Sequence, residues 1–205
     1  MTRSVIDGTV EWTGDNPFIY LGEDERVGWA SLSLMFRIAW SRFGPGNAIL
    51  VLEAPELTTH RDAAPAFCAS DNERLARDLV ERFVPRFGAF REAAALELLN
   101  FVAAHDFHCG DDSDGSYVAR CDTDEYGIVA LTWGQLRVPF SVDAPPAETA
   151  TGEHVMLSVF RPADAASVVV GGREQPGGLR ERDFFGGRSM SAGLAFSETW
   201  IRVNG

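Results

Sequence analysis

Apolar and polar residues alternate with a period of two over much of this chain, and this pattern constrains its fold more than any other feature. Such a period places every second side chain on the same face of a β-strand. The alternation occurs in residues 1–54 and 115–203, on either side of a stretch with helical spacing at 70–105. In the second block we expect strands at residues 117–121, 126–133, 136–142, 154–161, 167–170 and 191–203.

Residues 27–43 fit two patterns. The strand pattern uses Ala30, Leu32, Leu34, Phe36, Ile38 and Trp40. The helical pattern uses Leu32, Met35, Phe36, Ala39 and Phe43. A Gly-Pro-Gly-Asn turn at 44–47, followed by the apolar run 48–52, favours the strand because the two together complete a hairpin. A Gly-Gly pair at 171–172 predicts a second tight hairpin.

The middle of the chain has the signals of two helices. Ser70 and Glu73 have the spacing of a capping box, so the first helix should begin there. Its apolar stripe consists of Leu75, Leu79, Val80, Phe83 and Val84. Pro85 should end or kink this helix. A second helix, at about 90–105, is apolar over most of its circumference and should be the more buried of the two.

These elements predict an α+β protein. About ten strands should form a strongly curved antiparallel sheet or a barrel, with the two helices as an insertion packed on one side. The chain has 205 residues, of which 45% are hydrophobic and 23% charged, which is enough for a substantial core. We therefore expect residues 1–205 to form a single domain.

The composition excludes several classes of function. All 18 basic residues are arginine, so the chain has no lysine for a Schiff base, for pyridoxal phosphate or for a phosphate-binding loop. The complete use of arginine is typical of a GC-rich bacterial genome. A net charge of −12 argues against nucleic acid and against an anionic membrane surface as partners.

The N-terminus and the cysteines indicate the compartment. Residues 1–12 lack the apolar region of a signal peptide, and no apolar run approaches 18 residues. Three cysteines, Cys68, Cys109 and Cys121, are too few and too scattered for a disulfide framework. We expect a cytoplasmic protein that does not enter the membrane.

Glu198 is the most suggestive candidate for chemistry. A strict period of two would place it on one face of the last strand with Leu194, Phe196, Trp200 and Arg202. A carboxylate between two large rings must be paired, be protonated, or face a cavity. Glu198 is therefore a candidate general acid or base. The alternative is a buried or rim ion pair with an arginine such as Arg202 or Arg37.

His154 is the second candidate. The alternation places it on one strand face with Met156, Ser158 and Phe160. A lone histidine on an apolar face is usually a core residue with its hydrogen bonds satisfied. If the strands of His154 and Glu198 were neighbours, the two side chains could form an acid–base pair.

His105, His108 and Cys109 form the densest cluster of metal-ligand residue types, since the chain has only two other histidines, His60 and His154. No Cys-x-x-Cys accompanies them, so we expect no metal and no cofactor. Placed at the end of the second helix, His105 would bond the last free carbonyls. An acid–base role for His105 and a structural zinc at His105 and His108 stay open as alternatives.

Arg180, Arg182 and Arg188 surround the loops before the last strand. Guanidinium groups in this arrangement can hold an anionic ligand such as a carboxylate or a phosphate. The interspersed Glu181 and Asp183 favour a different interpretation, in which these charges pair with one another at the surface.

The sequence supports two hypotheses about function. The first is a cofactor-independent acid–base enzyme, an isomerase, cyclase, lyase or hydrolase, that acts on a small, largely apolar metabolite in an aromatic-lined pocket. Glu198 would be its general acid or base, and His154 would assist. His105 is a further candidate for an acid–base role. The second is a non-catalytic protein that binds a small molecule or forms a homo-oligomer, with the helix stripe at 75–84 meeting another subunit.

Overall fold

Strands with buried faces form most of this protein. The computed structural model describes residues 5–23, 28–59 and 65–204, and His60 lies outside them. The strands are β1 (Gly8–Asp15), β2 (Phe18–Leu21), β3 (Ser31–Ser41), β4 (Gly46–Glu53), β5 (Ala66–Ser70), β6 (Asn100–Ala103), β7 (His105–Asp111), β8 (Tyr117–Thr123), β9 (Gly127–Leu136), β10 (Phe140–Ala144), β11 (His154–Val170), β12 (Arg173–Glu174), β13 (Glu181–Phe184), β14 (Gly187–Met190) and β15 (Ala192–Val203). The helix α1 is Glu73–Arg82, and short 3-10 turns lie at Val84–Arg86, Gly88–Phe90, Ala94–Leu98 and Pro146–Glu148.

Thirteen of the described strands belong to one sheet. Its main order is β6-β5-β4-β3-β1-β15-β11-β9-β8-β7, with β2, β10 and β12 paired beside this path. The strand pairs are antiparallel except for β5 and β6. The sheet curves strongly enough to bring distant strands into contact. Phe67 of β5 stacks on Tyr126, just before β9, with ring centroids 4.1 Å apart. Over the described residues β6 and β7 do not pair with each other, so the predicted curved sheet is confirmed and the barrel alternative is wrong.

The curved sheet buries side chains on both faces. One core lies between the sheet and α1 and includes Trp12, Phe36, Leu79 and Trp200. We call it the helix-side core. The other core lies within the curve of the sheet and includes Ile19, Met35, Phe67, Trp133 and Leu194. We call it the inner core. A strand with one face against each core therefore has apolar residues at both odd and even positions.

The strand predicted within residues 27–43 is confirmed as β3 (Ser31–Ser41), and both predicted hairpins are confirmed. Strand β3 pairs with β4 from Ser31 to Ile38, and the turn between the two strands falls at residues 42–45. The second hairpin joins Val170 to Arg173 through two glycines. Gly171 and Gly172 have φ of +56° and +80°, which a two-residue turn requires and which only glycine adopts without strain.

The first helix is confirmed, but Asn72 caps it and Ser70 does not. Asn72 Oδ1 accepts a hydrogen bond of 3.2 Å from the backbone N–H of Leu75. The Ser70 hydroxyl donates to the carbonyl of Asn47 instead, which joins β5 to the start of β4. The apolar stripe of α1 packs into the helix-side core of the same chain. Among the described residues, no helix is long and apolar enough to cross a bilayer.

The second predicted helix, and with it the two-helix insertion, is wrong. Residues 90–105 instead form the 3-10 turn Ala94–Leu98 and the strand β6, which pairs in parallel with β5. An apolar stretch of this kind suits a buried helix or a buried strand equally well. Here the free edge of β5 decides the outcome, because it offers backbone hydrogen bonds that a helix could not use.

Two strand boundaries also differ from the prediction. Residues 154–161 and 167–170 belong to a single strand, β11, that continues through Pro162. The predicted strand at 136–142 is divided, because β9 ends at Leu136 and β10 begins after Pro139 at Phe140. Pro139 has no N–H to donate to a neighbouring strand, so the strand is interrupted there.

Replacement of Trp133 by Phe should destabilise the fold. The indole N–H of Trp133 donates to the carbonyl of Phe18 at 2.9 Å in a buried position. Without this donor the carbonyl is unsatisfied, so we expect the free energy of unfolding in urea to fall by about 2 kcal/mol. Trp40→Phe is the control, since Trp40 is 49% exposed and should lose less than about 0.5 kcal/mol. Equal losses in the two variants would contradict the assignment.

Candidate functional site

A β-bulge in β15 determines where Glu198 lies. Thr199 pairs with Leu157 of β11, but the next pair along is Phe196 with Val159, so Ser197 and Glu198 together oppose Ser158. Ser197 has a φ of +51°, which is uncommon for a residue with a side chain. An extra residue of this kind reverses the alternation of faces beyond it.

The bulge places the acid on the opposite face from the one expected. Leu194 and Phe196 belong to the inner core, whereas Trp200 belongs to the helix-side core. The predicted single face that joins Leu194, Phe196, Glu198 and Trp200 is therefore wrong. The prediction of a large ring beside the carboxylate still holds through Trp200.

Asp15 holds the bulge in place. Its Oδ1 accepts the backbone N–H of Ser197 at 3.0 Å, and its Oδ2 accepts the Nε–H of Arg37 at 2.8 Å. Arg37 is thus paired with Asp15 rather than with Glu198. The other arginine considered for Glu198, Arg202, binds Glu11 and Glu153. The ion-pair interpretation of Glu198 is therefore wrong.

Glu198 is a buried acid with two neutral donors. Its side chain is 3% exposed. The indole N–H of Trp200 donates to Oε1 at 2.6 Å, and the amide of Asn16 donates to the same oxygen at 3.3 Å. Burial raises the pKa of Glu198 from 4.5 to about 7, because these two bonds compensate only part of the lost hydration. Since Oε1 accepts both bonds, Oε2 is the oxygen that takes up and releases the proton.

Glu198 lines a cavity of about 920 Å³ between the helix-side core and the β13–β14 hairpin. Aromatic rings form much of its lining, among them Phe18, Tyr20, Phe140, Phe160, Phe184 and Trp200. This volume and composition are typical of small-molecule sites. The structure therefore brings together a buried carboxyl and a cavity rich in aromatic rings.

Tyr20 is a site residue that the sequence did not reveal. Its side chain is 6% exposed and lines the cavity. Burial raises the pKa of its phenol well above the usual range, and the charge of Glu198 adds to this effect against the opposing charge of Arg182. The phenol is therefore a protonated hydrogen-bond donor at any physiological pH.

His154 lies outside the cavity. Its Nδ1 is 2.8 Å from the Thr151 hydroxyl, and its Nε2 is 3.9 Å from Glu11. Burial, followed by the charge of Arg202, lowers the pKa of the imidazole, so the ring is neutral. His154 faces Arg202 in the β11–β15 ladder, whereas Glu198 lies opposite Ser158, four residues further on. The two strands are neighbours, but these positions are about 13 Å apart along them, so the residues do not form a direct pair.

Glu11 explains why the arginines near His154 stay away from Glu198. Burial opposes the ionisation of Glu11, but hydrogen bonds and charges from Arg82 and Arg202 outweigh it and lower its pKa to about 2. Arg202 also binds Glu153, which in turn binds Arg86. The positive charges of these arginines are thus neutralised by Glu11 and Glu153 near His154.

His105 and His108 lie on the exposed strand β7, not at a helix end. His105 faces Asp122 of β8, and His108 faces Arg120. Asp106, with a φ of +50°, marks a bulge between them. Neither histidine lines the cavity with Glu198. Within the described residues, no group of three or more His, Cys, Asp and Glu side chains is arranged to hold a metal ion.

The three arginines around the β13–β14 hairpin have different environments. Arg188 pairs with Glu181 at 2.8 Å, as the surface-pairing interpretation expected. Arg180 donates to the carbonyl of Gly28 at 2.9 Å. Arg182, by contrast, lines the cavity with its guanidinium over the rings of Phe18, Tyr20 and Phe184. For Arg182 the ligand-clamp interpretation therefore remains open.

Comparisons with known proteins do not place the chain in a family. No protein-family model matches it, and no curated protein matches it. One solved structure, described as an acetoacetate decarboxylase-like enzyme from Sphingomonas wittichii RW1, covers 97% of this chain and 92% of its own. The two sequences are 13% identical and the TM-score is 0.39. Similarity at this level supports no functional argument.

The buried carboxyl should make stability depend on pH. The folded protein holds the proton of Glu198 up to about pH 7, whereas the unfolded chain releases it near pH 4.5. The contribution to stability is complete below pH 4.5 and is lost as the pH rises through 7. Between pH 4 and pH 8 we expect the free energy of unfolding to fall by about 3 kcal/mol relative to Glu198→Gln. Parallel pH profiles for the two proteins would contradict the raised pKa.

Proposed function

We propose that this protein is a cofactor-independent enzyme that uses Glu198 as a general acid and base on a small, largely apolar metabolite. One observation carries the proposal: a buried carboxyl with a pKa of about 7 lines a cavity that is rich in aromatic rings. A catalytic acid–base group works best when its pKa is close to the working pH, because both protonation states are then populated. Carboxyls shifted in this way occur mainly at functional sites.

Proton transfer through Oε2 is the reaction step that the geometry supports. The ionised Oε2 removes a proton from the substrate, and the protonated Oε2 returns it at another position. Trp200 and Asn16 keep donating to Oε1 throughout, so they stabilise the carboxylate in one half of the cycle and fix its orientation in both. Isomerisation, cyclisation and elimination consist of such steps. Hydrolysis would in addition need an activated water or another nucleophile.

Tyr20 supplies the electrophilic partner in this proposal. Removing a proton next to a carbonyl places negative charge on the carbonyl oxygen, and a neutral phenol that donates to this oxygen stabilises the charge. Asn16 also lines the cavity, and its amide nitrogen donates to the carboxyl of Glu198. His154 and His105 receive no proton-transfer role here, since neither lines the cavity.

The binding of a small molecule without catalysis is the alternative function, and the same cavity would serve it. Homo-oligomer formation remains a prediction. The interface first suggested for it is wrong, because Leu75, Leu79 and Val80 of α1 are buried within their own chain. An oligomer would have to use another surface.

Replacement of Glu198 by Gln should abolish catalysis while preserving the fold. Gln keeps an oxygen that accepts from Trp200 and Asn16 but cannot exchange a proton. The assay is NMR-detected exchange with D₂O of hydrogens next to the carbonyl in a panel of small apolar ketones and carboxylic acids. We expect Glu198→Gln to reduce the exchange rate at least about 100-fold, with a melting temperature at pH 7 equal to or above that of the wild type.

The matched control is Glu174→Gln, which makes the same change in an exposed carboxylate that does not line this cavity. It should exchange at the wild-type rate. Wild-type exchange in Glu198→Gln would contradict the acid–base role. Binding of panel compounds with no exchange in the wild type would favour the non-catalytic alternative.

A further inference from the structure

Within the described part of the chain, Arg182 forms no ion pair with a carboxylate. Its guanidinium carbon lies 5.3 Å from the ring centroid of Phe184, 5.4 Å from that of Tyr20 and 5.9 Å from that of Phe18. Across the described residues, none of the ion pairs includes it, although carboxylates outnumber arginines by 30 to 18 in the chain. Its hairpin neighbour Arg188, in contrast, is paired with Glu181.

The chain fixes the backbone that carries Arg182. The buried hydroxyl of Ser191 accepts the N–H of Arg180 at 3.0 Å and donates to the carbonyl of Tyr20 at 2.6 Å. Gly178 pairs with Gly22 just beyond the end of β2. These bonds join the base of the β13–β14 hairpin to the strand that carries Tyr20. Arg182 is therefore held over the cavity and is half-buried there.

A guanidinium that lies over aromatic rings still has N–H groups to offer to a ligand, although Arg182 also shares a side-chain hydrogen bond with Tyr20. The ring faces attract the positive charge but accept none of its five N–H groups in a strong hydrogen bond. A planar carboxylate matches this edge with two parallel bonds. In a partly dry cavity such a pair is stronger than at an open surface.

The surrounding charges favour one negative charge on the ligand over two. Asp143, Glu148 and Asp183 also line the cavity, and all three are exposed at its mouth. Water screens them, but together they disfavour a dianion such as a phosphate monoester. Arg91 lines the cavity as well, although its Nε–H is bonded to the carbonyl of Arg86. The charge of this site thus suits a monoanion with a compact head group.

We propose that the ligand of this cavity is a small carboxylate monoanion with an apolar or aromatic body, and that Arg182 binds its carboxylate. The inference deepens the proposed function and rests on the same cavity, since it names the substrate class. Tyr20 lies within electrostatic reach of both Arg182 and Glu198. A carboxylate held by Arg182 therefore places the adjoining carbon atoms beside the phenol, and the apolar body against the rings.

Binding of 3-phenylpropanoate tests the inference directly, with Trp200 in the cavity lining as a fluorescent reporter and calorimetry as a second readout. Its neutral amide has the same shape without the charge, and phenyl phosphate supplies the dianion. We expect the wild type to bind the carboxylate at least tenfold more tightly than the amide or the phosphate. Arg182→Gln should remove this preference by weakening carboxylate binding about tenfold, while amide binding and the melting temperature stay unchanged.

Two further variants test whether the effect depends on the position of the arginine and on its planar shape. Arg188→Gln removes a charge from the same hairpin outside the cavity and should leave all affinities unchanged. Arg182→Lys keeps the charge but not the planar edge and should restore only part of the preference. The inference is overturned if Arg182→Gln still prefers the carboxylate, if phenyl phosphate binds as well as the carboxylate, or if the wild type binds no carboxylate at millimolar concentration.

The two proposals fail in different ways. Glu198→Gln should bind 3-phenylpropanoate at least as tightly as the wild type, because it loses a negative charge from the cavity. If Arg182 governs binding but no panel compound exchanges hydrogen in the wild type, the carboxylate site stands and the enzymatic proposal falls. If exchange depends on Glu198 but not on Arg182 or on ligand charge, the enzymatic proposal stands and the carboxylate inference falls.

Discussion

The bulge at Ser197 determines which layer of the protein receives Glu198. Without the extra residue, continued alternation would turn the carboxyl toward the inner core together with Phe196. With it, the carboxyl enters the helix-side layer beside Trp200 and reaches the cavity. Asp15 holds the strained residue through one hydrogen bond to its backbone. A local departure from regular pairing, stabilised by a distant carboxylate, thus creates the site.

The distribution of charge keeps Glu198 without a counter-ion. Arg37 binds Asp15, and Arg82 and Arg202 bind Glu11, so the nearby guanidinium groups are already paired. The acid receives only neutral N–H donors. These satisfy one oxygen but replace little of the solvation energy of the ionised form, which is why the proton is retained to near neutrality. The same separation of charges leaves Arg182 as a cation at the other side of the cavity.

The two ionisable groups of the proposed site lower the stability of the folded protein. A buried acid that ionises near pH 7 and an arginine without an ion pair each lose stabilising interactions that a purely structural residue would keep. The surrounding fold supports them with rigid elements. Trp133 bonds the carbonyl of Phe18 from the inner core, and Ser191 joins the β13–β14 hairpin to β2. The functional groups are thereby held on fixed backbone.

Local patterns predicted much of the fold but little of the site. Alternation and turn residues identified β3, its hairpin with β4 and the turn at Gly171, because those signals are contained in a few adjacent residues. The local pattern wrongly predicted a helix at β6, because the structure of this segment depends on its pairing with the edge of β5. Asn16 and Tyr20 had no sequence signal as site residues. Asn16 meets Glu198 across 182 positions of the chain.

By itself the sequence determined that this chain has no lysine chemistry, that strands dominate, and that Glu198 is a candidate acid close to large aromatic residues. Only the tertiary structure decided that Glu198 faces a cavity, that His154 does not accompany it, and that Arg182 does. The physical reason is the range of the interactions involved. Side-chain chemistry and backbone periodicity are properties of neighbouring residues, whereas a bulge, a cavity and an unpaired charge arise only when distant strands meet.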